Sequence, residues 1–278
     1  MDSGQREGRQ ERRNFGMRET VLITGATNGI GLELAKIFAK KKYNMVLVAR
    51  NEKKLKKMKR YFERKYEIEV LVLAKDLTKE KAVDEVYEAV VREQKTVDIL
   101  VNNAGFGDYG YFQEEDWEKL NRMIALNVTA LMHMTKLFLN GMIENGQGKI
   151  LNVASTAAFQ PGPQMAVYFA TKACVLSFSE AIAEELEGTG VTVTVLCPGA
   201  TNTGFEKAAA CEDSKLFYSK PPADAEKVAK YAYRSLMKGK VVAVHGFGNW
   251  IATEIVRLAP RRMVRKVVRE VIGKREEQ

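Results

Sequence analysis

The chain has 278 residues, of which 46% are hydrophobic and 28% charged, and a formal charge of +9 at pH 7. That length buries a large core as one ordinary α/β domain, with no need for a second, and no internal repeat or low-complexity linker interrupts it. Cys174, Cys197 and Cys211 lack metal-ligand spacing and only His133 and His245 could join them, which excludes a zinc site and points to reduced, structural thiols.

Residues 1–18, charged and glycine-bearing, read as a disordered extension without an apolar signal-peptide core. No stretch reaches the roughly 18 consecutive apolar residues of a spanning helix, so the expectation is a cytoplasmic protein. From residue 19 the run ETVLITGATNGIGLELAKIFAKKKYNMVLVARN reads as strand, glycine-rich turn, helix and strand, a βαβ unit. Gly25, Gly29 and Gly31 let the backbone turn tightly and approach a pyrophosphate, and the helix starting near Gly29 offers its N–H groups and positive dipole end. The spacing is neither G-x-G-x-x-G nor a P-loop; a ligand-free glycine turn is the plain alternative.

The second strand ends Val48-Ala49-Arg50-Asn51, with no carboxylate until Glu52. An acidic residue there would suit the ribose 2′-hydroxyl of NAD; an arginine accommodates the 2′-phosphate, so NADP(H) is favoured over NAD(H). A solvated charge opening the basic helix NEKKLKKMKRYFERK is the competing reading of Arg50. Further short, β-branched runs at 68–74, 97–101, 149–154, 191–196 and 240–244 alternate with helix-length segments. The pattern predicts a single Rossmann-like, doubly wound α/β domain whose parallel sheet carries helices on both faces.

The run KILNVAS puts Ser155 at the C-terminal end of a buried strand, where sheets of this kind open onto their ligand crevice. Tyr168 and Lys172, four apart in a helical run, share one face. A free phenol titrates near pH ~10, and a neighbouring ammonium favours its ionised form, bringing it towards useful acidity. Ser155 would then hold a substrate oxygen while Tyr168 gives or takes the proton and the carbon exchanges a hydride with a cofactor. A tyrosine and a lysine on an ordinary amphipathic helix are the bland alternative.

With TGATNGIG at 24–31, NNAG at 102–105, Asn127, Ser155, Tyr168-Phe-Ala-Thr-Lys172 and Pro198-Gly199 in order, the chain resembles the short-chain dehydrogenase/reductase family over roughly residues 19–245. The resemblance implies a mostly seven-stranded sheet, a nicotinamide dinucleotide, and catalysis by Ser155, Tyr168 and Lys172, with Asn127 supporting a proton relay. It further implies cofactor contacts from Thr24, Gly25, Thr27, Asn28, Gly29, Ile30 and Gly31, with Arg50 at the 2′ position and Asp76 and Leu77 at the adenine. Asn103, Ala104 and Gly105 would back the ribose, Lys172 would hold the nicotinamide ribose, and Pro198, Gly199, Thr201 and Thr203 would meet the nicotinamide. Residues 27 and 28 are Thr and Asn, so the extra cation that some NADP-preferring relatives place there is missing. The family also implies a homo-oligomer, a dimer or tetramer, and a small carbonyl or alcohol substrate.

Phe106, Tyr109, Tyr111 and Phe112, with Phe205, Phe217 and Tyr218, predict an apolar pocket for a hydrophobic ketone, aldehyde or 3-oxoacyl compound; Lys207 and Lys215 are the cations near it. The segment before Pro221-Pro222 reads as a lid. Residues 246–278 form a basic extension in which Leu258, Met263, Val264, Val267, Val268 and Ile272 alternate with cations. An amphipathic helix docked on its own domain or a neighbouring subunit is preferred to one lying on an anionic membrane. A dinucleotide-binding or membrane-associated scaffold without turnover is the alternative function, and nothing suggests a nucleic-acid partner.

Overall fold

The structure is a computed structural model that describes residues 18–209 and 221–273. Strands β1 (Thr20–Thr24), β2 (Asn44–Ala49), β3 (Val70–Ala74), β4 (Ile99–Asn102), β5 (Gly148–Val153), β6 (Val191–Cys197) and β7 (Val242–Val244) form one seven-stranded sheet. All its pairings are parallel, in the order β3-β2-β1-β4-β5-β6-β7. Two-residue strands at Thr201–Asn202 and Ala223–Asp224 pair separately.

The strands are apolar on both sides because both faces are covered. Val21, Ile23, Ile99 and Val101 pack on one face against helix α1 (Gly29–Lys40), helix α2 (Glu52–Tyr66) and a helix at Ala225–Met237. Their neighbours Leu22 and Leu100 pack on the other against α3 (Ala82–Arg92), α5 (Leu131–Glu144) and α6 (Ala166–Glu185). This period-two division is the pleat of the strand made visible. Between α3 and α5 stand α4 (Trp117–Ile124) and a widened π turn at Ala125–Ala130. Counting on from α6, Ala225–Met237 is α7, and the chain continues through α8 (Phe247–Leu258) and α9 (Arg261–Ile272). By length and composition α6 could cross a membrane, but its Val175, Leu176, Ser179 and Ile182 are buried against the rest of the fold.

Under the sheet's centre runs a buried polar ladder. Asn102 Nδ2 donates to Thr135 Oγ1 and to Asn152 Oδ1, each at 2.9 Å, and Asn152 Nδ2 donates to Ser179 Oγ at 2.9 Å. Thr135 and Ser179 pass their own hydrogens to the Leu131 and Val175 carbonyls at 2.9 and 2.6 Å. Every step satisfies a buried polar atom while tying β4 and β5 to α5 and α6.

The direction in which successive strands are added reverses between β1 and β4, and ligands of open α/β sheets bind outside the carboxyl ends of the strands at such a point.

Candidate active site

A cavity of about 1080 Å³ lies along that carboxyl edge. At one end the turn after β1 is held by its neighbours. Thr24 Oγ1 accepts from Asn103 N and Ala104 N, both at 3.0 Å, and Asn103 Nδ2 donates to the carbonyls of Thr24 and Gly25 at 3.0 and 3.2 Å. Gly25 and Gly29 adopt φ of +65° and +51°. A Cβ on Gly31 would fall 2.4 Å from Asn103 Nδ2 and 2.5 Å from the Gly25 carbonyl oxygen, so only glycine lets the turn close.

Helix α1 starts at Gly29 with no acidic residue in its first turn, and the Asn28 side chain does not cap it. Its first internal bond runs from Leu32 N to Asn28 O at 3.1 Å, so the N–H groups at its start have no acceptor within the helix, and Gly29 and Ile30 line the cavity end, as an anion site requires. Asn28 Oδ1 instead accepts from Lys54 Nζ at 2.6 Å. The cation missing from the turn is thus delivered from α2, whose own start is capped by Asn51, its Oδ1 accepting from Lys54 N at 2.9 Å. Arg50, Asn51, Asp76, Leu77 and Thr78 line the same end. Burial pushes the Asp76 carboxyl up, but hydrogen bonds from Thr78 and the charges of Arg50 and Lys79 outweigh it and hold the carboxyl below its ordinary value.

At the other end Ser155, Tyr168 and Lys172 line the cavity together. Ser155 follows β5; its Oγ accepts from Ala157 N at 3.1 Å and donates to Pro198 O at 3.4 Å, and it caps a 3-10 turn at Thr156–Phe159. Lys172 is buried; its Nζ donates to Val153 O at 2.9 Å and sits 5.7 Å from the centroid of the Tyr168 ring. Burial brings its ammonium down to about 8, opposed by the neighbouring Cys197. The Cys197 thiol is itself pushed up to about 12, again mainly by burial, so it is neutral near pH 7.

Of the cofactor contacts implied by resemblance, Gly25, Thr27, Asn28, Gly29, Ile30, Arg50, Asp76, Leu77, Asn103, Ala104 and Gly105 line the cavity, as do Pro198, Gly199, Thr201 and Thr203. Three expected residues stand behind the wall instead. Thr24 is spent on bracing the turn, and Gly31 serves its close packing. Asn127 is buried in the π turn beneath Gly105, its side chain exchanging hydrogen bonds with the Phe106 backbone at 3.1 and 2.9 Å and donating to Thr171 Oγ1 at 3.1 Å. Thr171 Oγ1 in turn donates to the Tyr168 carbonyl at 2.7 Å, so Asn127 positions the helix turn that carries the phenol. A Cβ on Gly105 would lie 2.9 Å from Asn127 Oδ1 and 3.5 Å from Lys172 Nζ, so the glycine opens the cavity beside the ammonium.

The expected aromatic pocket needs correction. Phe106 and Phe205 line the cavity, with the Phe205 ring centroid 5.2 Å from that of Tyr168. Tyr111 and Phe112 are exposed outside it, 54% and 59% respectively, because their loop turns outward beyond Gly110. Tyr109 acts as a clasp: its hydroxyl bonds Gln164 and donates to Ile272 O at 3.2 Å. Cys211, Lys215, Phe217, Tyr218 and most of the expected lid lie outside the described residues, as does the Lys207 side chain.

The apolar wall comes from the C-terminal helices, whose placement sequence reasoning left open. Val264, Val268 and Ile272 of α9 bury against Ala157, Met165 and Phe169, and Met263, Val267 and Val271 on the adjacent side face the cavity. Asn249 of α8 also lines it; a Cβ on Gly199 would meet its Nδ2 at 2.6 Å.

An open sheet with a glycine turn at the first crossover and Ser, Tyr and Lys at the far end of one cavity defines a dinucleotide-dependent oxidoreductase fold. The family profile described as short chain dehydrogenase matches residues 19–213, and the chain belongs to the short-chain dehydrogenase/reductase family of oxidoreductases. Sulfoacetaldehyde reductase 2 of Chromohalobacter salexigens is 34% identical over 78% of this chain and 88% of that protein. A short-chain dehydrogenase of Sphingobium yanoikuyae in complex with NADPH superposes with a TM-score of 0.77 at 28% identity, covering 94% of this chain and 99% of that one. A 3-ketoacyl-(acyl-carrier-protein) reductase of Brucella melitensis complexed with NADH gives 0.72 at 32% identity over 81% and 94%.

Proposed function

We propose that the protein is an NADP(H)-dependent reductase of a hydrophobic ketone, aldehyde or 3-oxoacyl compound. The observation that carries this reading is the single cavity in which Ser155, Tyr168 and Lys172 share space with the glycine turn and Arg50. The residues suit a nicotinamide dinucleotide: a cradle that only glycines permit, an uncapped helix start and a polar rim at Asp76 and Thr78. When bound, such a group supplies or accepts a hydride.

In reduction, Ser155 Oγ turns its hydrogen to the substrate oxygen, and the Tyr168 hydroxyl gives its proton to the same oxygen. The Lys172 ammonium, drawn against the Tyr168 ring, favours the phenolate that this transfer leaves. Asn127 acts by position, fixing both the Phe106 loop and the first turn of α6. Arg50, with Lys54 reaching over Asn28, supplies the positive charge a 2′-phosphate calls for, which supports NADP(H). The wall from α8 and α9 supports an apolar substrate. We also propose a cytoplasmic location, in keeping with the free thiols of Cys174 and Cys197.

NADPH absorbance followed against ketones, short polar aldehydes and 3-oxoacyl thioesters tests the reading. Turnover of the apolar carbonyls with NADPH is expected; activity confined to NADH or to sulfonated aldehydes would overturn it.

A further inference from the structure

Helix α8 carries its apolar residues on the wrong side for a surface helix. Asn249, Thr253 and Val256 face the cavity, Phe247, Trp250, Ile251 and Leu258 point outward, and Ile255 lies on the border between the two. Leu258 is 89% and Phe247 75% exposed, and the Phe247 and Trp250 rings stack on each other with centroids 5.9 Å apart. A continuous apolar face of this kind on a surface helix marks an interaction site rather than ordinary scatter.

The charge around it is predominantly positive, although Arg257 is paired with Glu254 at 3.6 Å. Residues 247–273 hold six exposed cations, Arg257, Arg261, Arg262, Arg265, Lys266 and Arg269, against two carboxylates, Glu254 and Glu270. On α9 the series 261, 265, 269 and the pair 262, 266 repeat every four residues and form one stripe. Docking of α9 on the domain through Val264, Val268 and Ile272 leaves that stripe in solvent.

We propose that α8 and α9 together form a docking surface for an anionic lipid bilayer. The apolar face of α8 enters the acyl boundary, and the cations of α9 meet the headgroups. A second copy of the chain suits the apolar face but brings two sets of cations together across the symmetry axis, whereas an anionic sheet satisfies both features. Ile255 belongs to the outward face and to the cavity lining, so the surface is continuous with the cavity. A lipophilic carbonyl could then pass from membrane to site without crossing water; that consequence rests on the reductase reading, and the docking does not.

Flotation of the full chain with vesicles of phosphatidylcholine and phosphatidylglycerol in equal parts, and with pure phosphatidylcholine, tests it. The chain should rise with the anionic vesicles, stay down with the neutral ones, and be released by high salt. Because each cation near an anionic surface contributes roughly fivefold, Arg261→Gln, Arg262→Gln, Arg265→Gln and Lys266→Gln combined should cut partitioning well over tenfold. Phe247→Ser with Leu258→Ser should cut it comparably. None of these residues lines the cavity, so unchanged melting and unchanged turnover of a water-soluble carbonyl certify the fold. Failure of the wild-type chain to float with anionic vesicles overturns the proposal, as does flotation that both variants leave intact. A dimer dissociated by Phe247→Ser with Leu258→Ser, without flotation, assigns the face to a second copy instead.

Discussion

At the nucleotide end the cavity wall comes from residues close in sequence, Gly25 to Ile30 and Arg50 to Asn51, joined by short loops after β2, β3 and β4. At the substrate end Phe106, Ser155, Phe205 and Val267 meet from four distant segments, and the apolar roof is the last helix of the described chain. The first end is backbone chemistry, in which glycine and a helix start do the work; the second is side-chain packing, in which composition matters more than position. An end of the first kind leaves a local signature, and one of the second kind becomes visible only when the chain has folded.

Four substitutions separate the two ends, beginning with the acid itself and ending with the smallest effect. Tyr168→Phe removes the proton donor and should lower kcat by roughly 10²–10⁴-fold while NADPH affinity holds. Turnover near wild type would show that the phenol is not the acid. At the nucleotide end Arg50→Asp should lower the preference for NADPH over NADH by roughly 10–100-fold, the worth of one hydrogen-bonded charge. An unchanged ratio of kcat/KM would remove Arg50 from 2′-phosphate recognition and leave Lys54 to account for it.

Lys172 joins the ends and has a signature in pH. The folded protein releases its proton near pH 8, whereas an unfolded chain keeps it to 10.5, so stability rises with pH between those values and the burden of the buried charge is full below 8. Lys172→Met should therefore stabilise the fold at pH 7 by about 3 kcal/mol and abolish turnover. The gain should vanish towards pH 10.5 in urea titrations; a gain constant with pH would mean that packing, not charge, was changed. The smallest effect belongs to the substrate end. Val267→Gln, at a half-exposed lining position, should raise KM for an apolar carbonyl by about fivefold, with melting and NADPH affinity unmoved.

The sheet was legible because most of its strands are buried on both faces and leave short, largely apolar runs, the edge strand β3 being the least covered. Strand starts were less so: Ile68 and Val97 extend their runs and are buried, yet β3 and β4 begin at Val70 and Ile99. Hydrophobicity reports burial, and pairing is a separate event. Ser155, Tyr168 and Lys172 could be read because a strand end and a helix period fix their directions. Tyr111 and Phe112 misled because a loop has no period from which direction can be inferred. Lys54 looked like one more solvated cation on α2, and only the contact with Asn28, 26 residues earlier, sets it apart. The i, i+4, i+8 spacing of Val264, Val268 and Ile272 announced a buried stripe without saying what it would cover.

The buried ladder around Asn102 has a polarity. Both amide hydrogens of that residue leave it, and each later link passes a hydrogen onward until a helix carbonyl absorbs it. Asparagine and aspartate are nearly the same shape, yet conversion of Asn102 to Asp, by mutation or by slow deamidation, would set lone pair against lone pair at Asn152 Oδ1 and make the Thr135 hydroxyl abandon Leu131 O to donate to the carboxylate. Chemical ageing at this one hidden amide would reach the catalytic edge through strands β4 and β5 with no change in the volume of any side chain.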